Sequence, residues 1–422
     1  MEGETILCIA TRAWHSLWRS TQQYMSRMAA QNRVLFFEPG RNPDRSVLSE
    51  LVRNLSHFYA APAAEEAHKN LTVIPTPSSL PYARQHLPGP VLRTTVPLVT
   101  RINGAILIRQ VRQVMDQLEV EAPILWLYSV HHLHLIGQFG EKLSCFFVYD
   151  EYPDFVANRR IQDLLRHYDN NVSRQVDIVF ASSRSQWERR KHLNPNTYLI
   201  PNGVDFQLFH QALDPETPLP LDVSWEGPTI GYIGWLGYQM DVPLLLKVAQ
   251  AFPDCALALI GPDEIPRDES LERLRSMPNV HFLGSKDRTS LPAYLKAMDV
   301  ALIPYYLAGY TLSAYPLKLH EYLAAGRAIV ATALPELGPF SHVVRIAESH
   351  EEFLRQVREA LHDDSPQAIE ARVCLAQENT WDRRVEEMYR VLDRQLATRA
   401  GARDAPDGQH GQGPARKVTA RS

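Results

Sequence analysis

The chain has 422 residues, of which 45% are hydrophobic and 22% charged, with a formal net charge of −4 at pH 7. That length exceeds one ordinary core and points to two domains with extensions. The composition is that of a globular protein, and the charge balance makes no general case for nucleic acid.

Short apolar runs alternate with helical patterns from the start. TILCIA is followed by a helix pattern over SLWRSTQQYMSRMAAQ and then by RVLFFE; PILWLY, SCFFVY, DIVFAS and TYLIPNGVD come later. These runs are continuous rather than alternating, which suits parallel strands covered on both faces. Strands alternating with helices on this scale predict an α/β fold of doubly wound units. The segment 206–228 carries Pro215, Pro218, Pro220 and Pro228 with little periodicity and reads as a linker. The rhythm then restarts with PTIGYIG, ALALIG, VHFLG, DVALIPY and AIVATA. The expected organisation is a first domain over 1–205, the linker 206–228, a second domain over 229–379, a helix over 380–399 and a disordered polar tail over 400–422.

The four cysteines, Cys8, Cys145, Cys255 and Cys374, lie far apart with no C-x-x-C pair, which suits free thiols in a reducing compartment. The acidic start lacks the basic region and apolar length of a signal peptide, and no run of apolar residues is long enough to span a membrane. The expected place is the cytoplasm, with peripheral contact at the inner membrane face. That contact rests on residues 67–115, which hold no Asp or Glu but carry Lys69, Arg84, Arg93, Arg101, Arg109 and Arg112 among apolar residues. Such a stretch suits an anionic membrane surface. Two other features read as structure: SSRSQWERRKH as a solvated basic helix, and Trp14 and Trp18 as packing on one helix face.

The most informative segment is YPLKLHEYLAAGRAIVAT, residues 315–332. Pro316 suits a first helical turn and Gly326 a helix end. Lys318, Glu321, Tyr322 and Ala325 then share one face. A helix start with a lysine attracts phosphate, and a carboxylate one turn deeper can accept two hydrogen bonds from a ribose diol. The same spacing also makes a simple ion pair of about 0.2–0.5 kcal/mol.

IPNGVD (200–205), GYIGWLG (231–237), PNVHFLGSKDRTSLPAYLKAMDVALIPY and PLKLHEYLAAGRAIVAT, in that order, resemble glycosyltransferases of the GT-B fold. The resemblance is closest to the glycosyltransferase group 1 (family 4-like) C-terminal domain. ILCIATRAWHSLWRSTQQYMSRMAAQNRVLFFEP and FFVYDEYPDF look like bacterial members linked to exopolysaccharide or cell-surface glycan assembly. The resemblance implies two facing Rossmann-like domains, a C-terminal helix crossing back (anchored here by Trp381), and a nucleotide-sugar donor held mainly by the second domain. Gly234, Trp235 and Gly237 then form the loop nearest the donor phosphates. Lys318 meets those phosphates, with Leu317 beside it, and Glu321 holds the ribose. The turn from Phe282 to Ser285 reads the base.

Ser313 stands where the family pattern has a first glutamate, and Trp235 stands where an arginine is usual. The phosphate charge then falls to Lys318, the helix start and Arg12, and the stereochemical outcome is open. No D-x-D or H-E-x-x-H occurs, so no metal and no cofactor is expected beyond the UDP- or GDP-linked sugar itself; HHLH at 131–134 reads as cleft lining or surface. The carboxylates of VYDEYPDF follow an apolar strand run, where ligands bind in doubly wound sheets. Related sequences favour Asp154 as the base for the acceptor hydroxyl, with Asp150 second. The reading is a metal-independent glycosyltransferase acting on a glycan or lipid-linked acceptor. The alternatives are a non-catalytic nucleotide-binding scaffold and a nucleotide-sugar epimerase of the same fold.

Overall fold

Unbroken apolar runs become the inner strands of two sheets. A computed structural model describes residues 1–39, 65–76, 89–156, 158–362 and 365–403. In the first domain the strands are β1 (Thr5–Ile9), β2 (Arg33–Glu38), β3 (Glu65–His68), β4 (Leu71–Pro75), β5 (Ile124–Leu127), β6 (Leu143–Val148), β7 (Ile178–Ala181) and β8 (Thr197–Leu199). They lie in the order β3-β4-β2-β1-β5-β6-β7-β8, and only β3 runs antiparallel to its neighbour. The second domain is fully parallel, with β9 (Thr229–Ile233), β10 (Ala256–Ile260), β11 (Val280–Gly284), β12 (Val300–Ile303), β13 (Ala328–Thr332) and β14 (Arg345–Ala347) in the order β11-β10-β9-β12-β13-β14. Chain order reverses beside β1 in one sheet and beside β9 in the other. A crevice opens at such reversals, outside the carboxyl ends of the strands.

Both faces of each sheet are covered, which is why the strands tolerate no polar alternation. Cys8, Phe36, Trp126 and Phe180 fill one side of the first sheet, and Leu7, Leu35, Leu125 and Val179 fill the other. The last helix, Trp381–Arg403, leaves the second domain and packs Trp381, Val385, Met388 and Leu392 into the first domain's core. Trp381 meets the ring of Tyr24 edge-on at 5.1 Å. Each such side chain, fully buried, contributes about 1.5–3 kcal/mol, so this helix ties the two domains together. Beside it, Val204 bridges Thr380 in parallel, where the chain passes between the domains.

Several local expectations change. The proline-rich segment after Asp205 contains a helix, Phe206–His210, because Phe209 is drawn into the second domain's core. The last helix continues through Arg403, past the expected start of the tail; residues 404–422 of that tail lie outside the described residues. Trp14 and Trp18 sit in a loop, not a helix, with ring centroids 5.6 Å apart. The helix Arg184–Arg190 is not simply solvated, since Arg190 is among the largest fully buried side chains. His131 and His132 belong to the short turn Val130–Leu135, and burial holds them down at about 4 and about 3. Cys8, Cys145 and Cys255 are buried and free, and Cys374 is exposed and free.

The basic stretch is dominated by the helix Gly89–Gln117, whose exposed positions include Leu98, Arg101, Ile102, Arg109 and Arg112. Residues 77–88, with Arg84, lie outside the described residues. No described helix is long and apolar enough to cross a membrane.

Candidate active site

The two crevices face each other and merge into one cleft of about 580 Å³, within the usual range for a small-ligand site. Its walls are built from the segments that follow β1, β6, β9, β10, β11 and β12.

On the second domain's wall, two glycines let three segments converge. Gly234, directly after β9, has φ +148, and a Cβ there would lie 2.0 Å from Cε and 2.6 Å from Nζ of Lys318. Gly261, directly after β10, has φ +142, and a Cβ there would lie 1.8 Å from the Gly234 carbonyl oxygen. Both positions need glycine on conformational and steric grounds. Lys318 thus crosses Gly234 with its ammonium group at the cleft. The helix Lys318–Ala324 is held to β9 by Tyr322, fully buried, whose hydroxyl accepts from the Ile233 amide at 2.9 Å. Pro316, expected in the first helical turn, lies just before it, and its carbonyl accepts from the Leu319 amide.

Lys318 makes no ion pair within 4 Å among the described residues. Burial lowers its pKa, and the charge of Arg19 adds to that against the pull of Glu321. Glu321 is pushed up by burial, opposed by Lys318 and Arg288. Lys318 and Glu321 therefore share a cleft in which neither is neutralised by close contact. Arg288 pairs with Asp205 at 2.9 Å and lies 5.8 Å from the ring centroid of Trp18, a residue of the other domain. Lys286 is tied to Asp222.

The first domain supplies Arg12, Arg19, Tyr149 and Asp150. Tyr149 is fixed by a 2.8 Å hydrogen bond with Thr11. Burial pushes the Asp150 carboxyl up to about 7, although Arg19 and Arg12 oppose it. Tyr238 and Tyr310 close the cleft from the second domain, with ring centroids 5.3 Å apart.

The structure gathers Arg12, Asp150, Gly234, Trp235, Leu317, Lys318 and Glu321 around one space. It does not bring Asp154 there. Asp154 turns away to pair with Arg166 at 3.0 Å and Arg189 at 3.8 Å, so the cleft carboxylate of VYDEYPDF is Asp150. Ser313 is buried, and its hydroxyl donates to the Tyr310 carbonyl. Gly237 packs against the Trp235 ring instead of lining the cleft. Phe282 lies under the Arg275 guanidinium at 4.4 Å, and Ser285 reaches the cleft in its place. Arg19, Arg288 and Tyr310 escaped the sequence reading. Nothing in their local pattern distinguishes them from surface residues, and the sequence pattern placed Arg19 inside a helix that in the structure begins only at Ser20.

Two facing parallel α/β domains, with the cleft at the carboxyl ends of both sheets, define the GT-B class of fold. Solved structures share it across nearly the whole chain. Sucrose-phosphate synthase from Thermosynechococcus elongatus matches with a TM-score of 0.67 at 17% identity, covering 94% of this chain and 100% of that one. A trehalose-6-phosphate structure from E. coli bound with UDP-2-fluoro glucose matches with a TM-score of 0.64 at 13% identity, covering 93% and 99%. Residues 227–363 match the family described as Glycosyl transferases group 1. Over 168 residues the chain is 32% identical to the teichuronic acid biosynthesis glycosyltransferase TuaH of Bacillus subtilis (strain 168). That match spans 39% of this chain and 42% of TuaH.

Proposed function

We propose that the protein is a glycosyltransferase that moves a sugar from a nucleoside-diphosphate donor to a hydroxyl of a glycan or lipid-linked acceptor. The observation that carries this reading is the placement of Lys318 and Glu321 on one helix in the cleft, facing Asp150 and Arg19 on the opposite wall. The group 1 domain over 227–363 and the E. coli neighbour bound with UDP-2-fluoro glucose support it.

In this reading the donor diphosphate lies against Lys318, where the Gly234 backbone permits close approach. A desolvated ammonium stabilises the charge that develops as the nucleoside diphosphate leaves. Glu321 accepts hydrogen bonds from the ribose hydroxyls. Arg19 and Arg12 add positive charge from the first domain, so the chain itself supplies the cations for the leaving group. Asp150 accepts the proton of the attacking hydroxyl, and a carboxylate raised toward neutrality is suited to that task. Domain faces that exclude water around these groups strengthen each of the interactions.

The name of TuaH supports a role in bacterial surface polysaccharide synthesis. The exposed face of the helix Gly89–Gln117, with Leu98 and Ile102 beside Arg101, supports peripheral contact with an anionic membrane. The test of the central reading is calorimetry with UDP, GDP and ADP, followed by product analysis with the matching nucleotide sugars. Binding of one nucleoside diphosphate that Lys318→Ala and Glu321→Ala both weaken is expected. Absence of binding by all three would sink the reading.

A further inference from the structure

Across the cleft-forming interface, a carboxylate of the second domain holds the start of a helix of the first. Glu336 lies in the short turn Pro335–Phe340 after β13 and is 8% exposed. Its two oxygens accept from the amides of Arg184 and Ser185, each at 3.0 Å. The next two amides of that helix are met within the first domain: Gln186 donates to the Ser183 hydroxyl and Trp187 to the Ser183 carbonyl. The amides of Arg184, Ser185 and Gln186, which a helix start leaves without a partner inside the helix, are thus all paired, two of them only while the domains are together.

The other end of the same helix grips the loop that carries Asp150. Arg190, 1% exposed, pairs with Glu151 at 2.7 Å and with Asp169 at 2.7 Å. Arg189 reaches Glu151 at 3.6 Å and Asp154 at 3.8 Å. Burial pushes Glu151 up, but Arg190 overrides it and holds its carboxyl below the usual range. On the other side of Asp150, the Ser182 hydroxyl donates to the Tyr149 carbonyl at 3.2 Å. The residues before and after Asp150 are therefore both fastened to the segment 182–190, and that segment is fastened to the second domain through Glu336.

We infer that Glu336 is a positioning residue: through the helix Arg184–Arg190 it couples closure of the two domains to the placement of Asp150 in the cleft. When the domains part, the Arg184 and Ser185 amides lose their carboxylate, the helix is released, and Arg190 no longer sets the Asp150 loop against the cleft. The acceptor base is then in register only in the closed form. This rests on the reading of Asp150 as the group that takes the acceptor proton.

The groups facing Asp150 are Arg12 and Arg19 from the segment after β1, Glu151 and Tyr149 on its own segment, and Tyr238 and Tyr310 from the second domain. None of them is altered by substitution at Glu336, so a change in the pH profile reports a change in where Asp150 stands. The experiment measures nucleoside diphosphate release from UDP- and GDP-linked sugars, with water as acceptor, as a function of pH. It compares wild type, Glu336→Ala, Glu336→Gln, Asp150→Asn and the Asp150→Asn/Glu336→Ala double variant, with thermal melts confirming folding. The expected result for Glu336→Ala is a tenfold or greater loss of kcat, nucleoside diphosphate affinity within threefold of wild type, and an acid limb moved to lower pH. Glu336→Gln, whose carbonyl oxygen still accepts from one amide, should fall between. In the Asp150→Asn background the Glu336 substitution should cost nothing further. A Glu336→Ala variant with wild-type kcat and an unmoved acid limb overturns the coupling. Full turnover by Asp150→Asn instead removes the assignment of Asp150 itself.

Discussion

Lys318 lies across Gly234 so closely that a Cβ on residue 234 would sit 2.0 Å from its Cε. The ammonium group reaches the cleft because the residue beneath it has no side chain. Gly234→Ala is therefore expected to displace Lys318 and also to strain a backbone at φ +148. Loss of one charge-assisted contact is worth about 1.5–3 kcal/mol, which corresponds to roughly a 10- to 150-fold weaker nucleoside diphosphate. Calorimetry against Lys318→Ala checks this, and the double variant should lose little more than either single one.

Glu321 makes a sharper prediction because its partner is one sugar. Wild type should prefer a ribonucleoside diphosphate over its 2′-deoxy analogue. Glu321→Ala should bind both weakly and equally, since the discriminating acceptor is gone. Discrimination that survives the substitution would place the ribose elsewhere.

For Asp150, two measurements separate chemistry from stability. Asp150→Asn should cut turnover by about 10²- to 10⁴-fold, the span of general-base catalysis, with nucleotide affinity nearly unchanged. Asp154→Asn should leave both close to wild type, because Asp154 sits in ion pairs outside the cleft. The carboxyl of Asp150 is raised to about 7 in the folded protein, so folding favours its protonated form. Its contribution is present below the unfolded value near 4 and is lost as pH rises toward 7. Melting curves should accordingly show Asp150→Asn gaining on wild type between pH 4 and pH 8.

The buried histidines have the opposite sign. Burial holds His132 and His320 down at about 3 and His131 at about 4. Stability from keeping them neutral is complete above pH 6.5 and is lost as pH falls toward those values. Each tenfold difference in proton affinity between the unfolded and folded chain is worth about 1.4 kcal/mol. Acid denaturation should steepen below pH 6, and His320→Gln should flatten it. An unchanged acid transition would show that these rings are protonated without cost.

Arg101 and Ile102 stand exposed on the helix Gly89–Gln117 next to Leu98. Replacing Leu98, Arg101 and Ile102 by Glu should abolish sedimentation with anionic vesicles and spare nucleotide binding. Equal sedimentation would leave this face as ordinary surface.

The doubly wound reading came from continuous apolar blocks such as LSCFFV and VALI, which only a sheet covered on both sides can bury. The spacing of Lys318 and Glu321 on one helix was legible for the same local reason, since a 3.6-residue period sets the face whatever surrounds it. β3, β4 and β14 were not legible as strands: they are short, and their pairing comes from neighbours distant in sequence. Arg190 looked like one more charge in a basic helix, because burial depends on Glu151 and Asp169 arriving from other elements.

Sequence by itself determined the two α/β units and the lysine–glutamate pair of one helix, which follow from periodicity and short-range sterics. Only the tertiary structure decided that Asp150, not Asp154, faces that pair, that Arg19 joins it, and that Glu336 reaches across to the other domain. Those choices turn on which of several nearby carboxylates meets an arginine and which is left in the cleft. Such pairing is set by through-space distance between segments, on which the order of residues along a chain is silent.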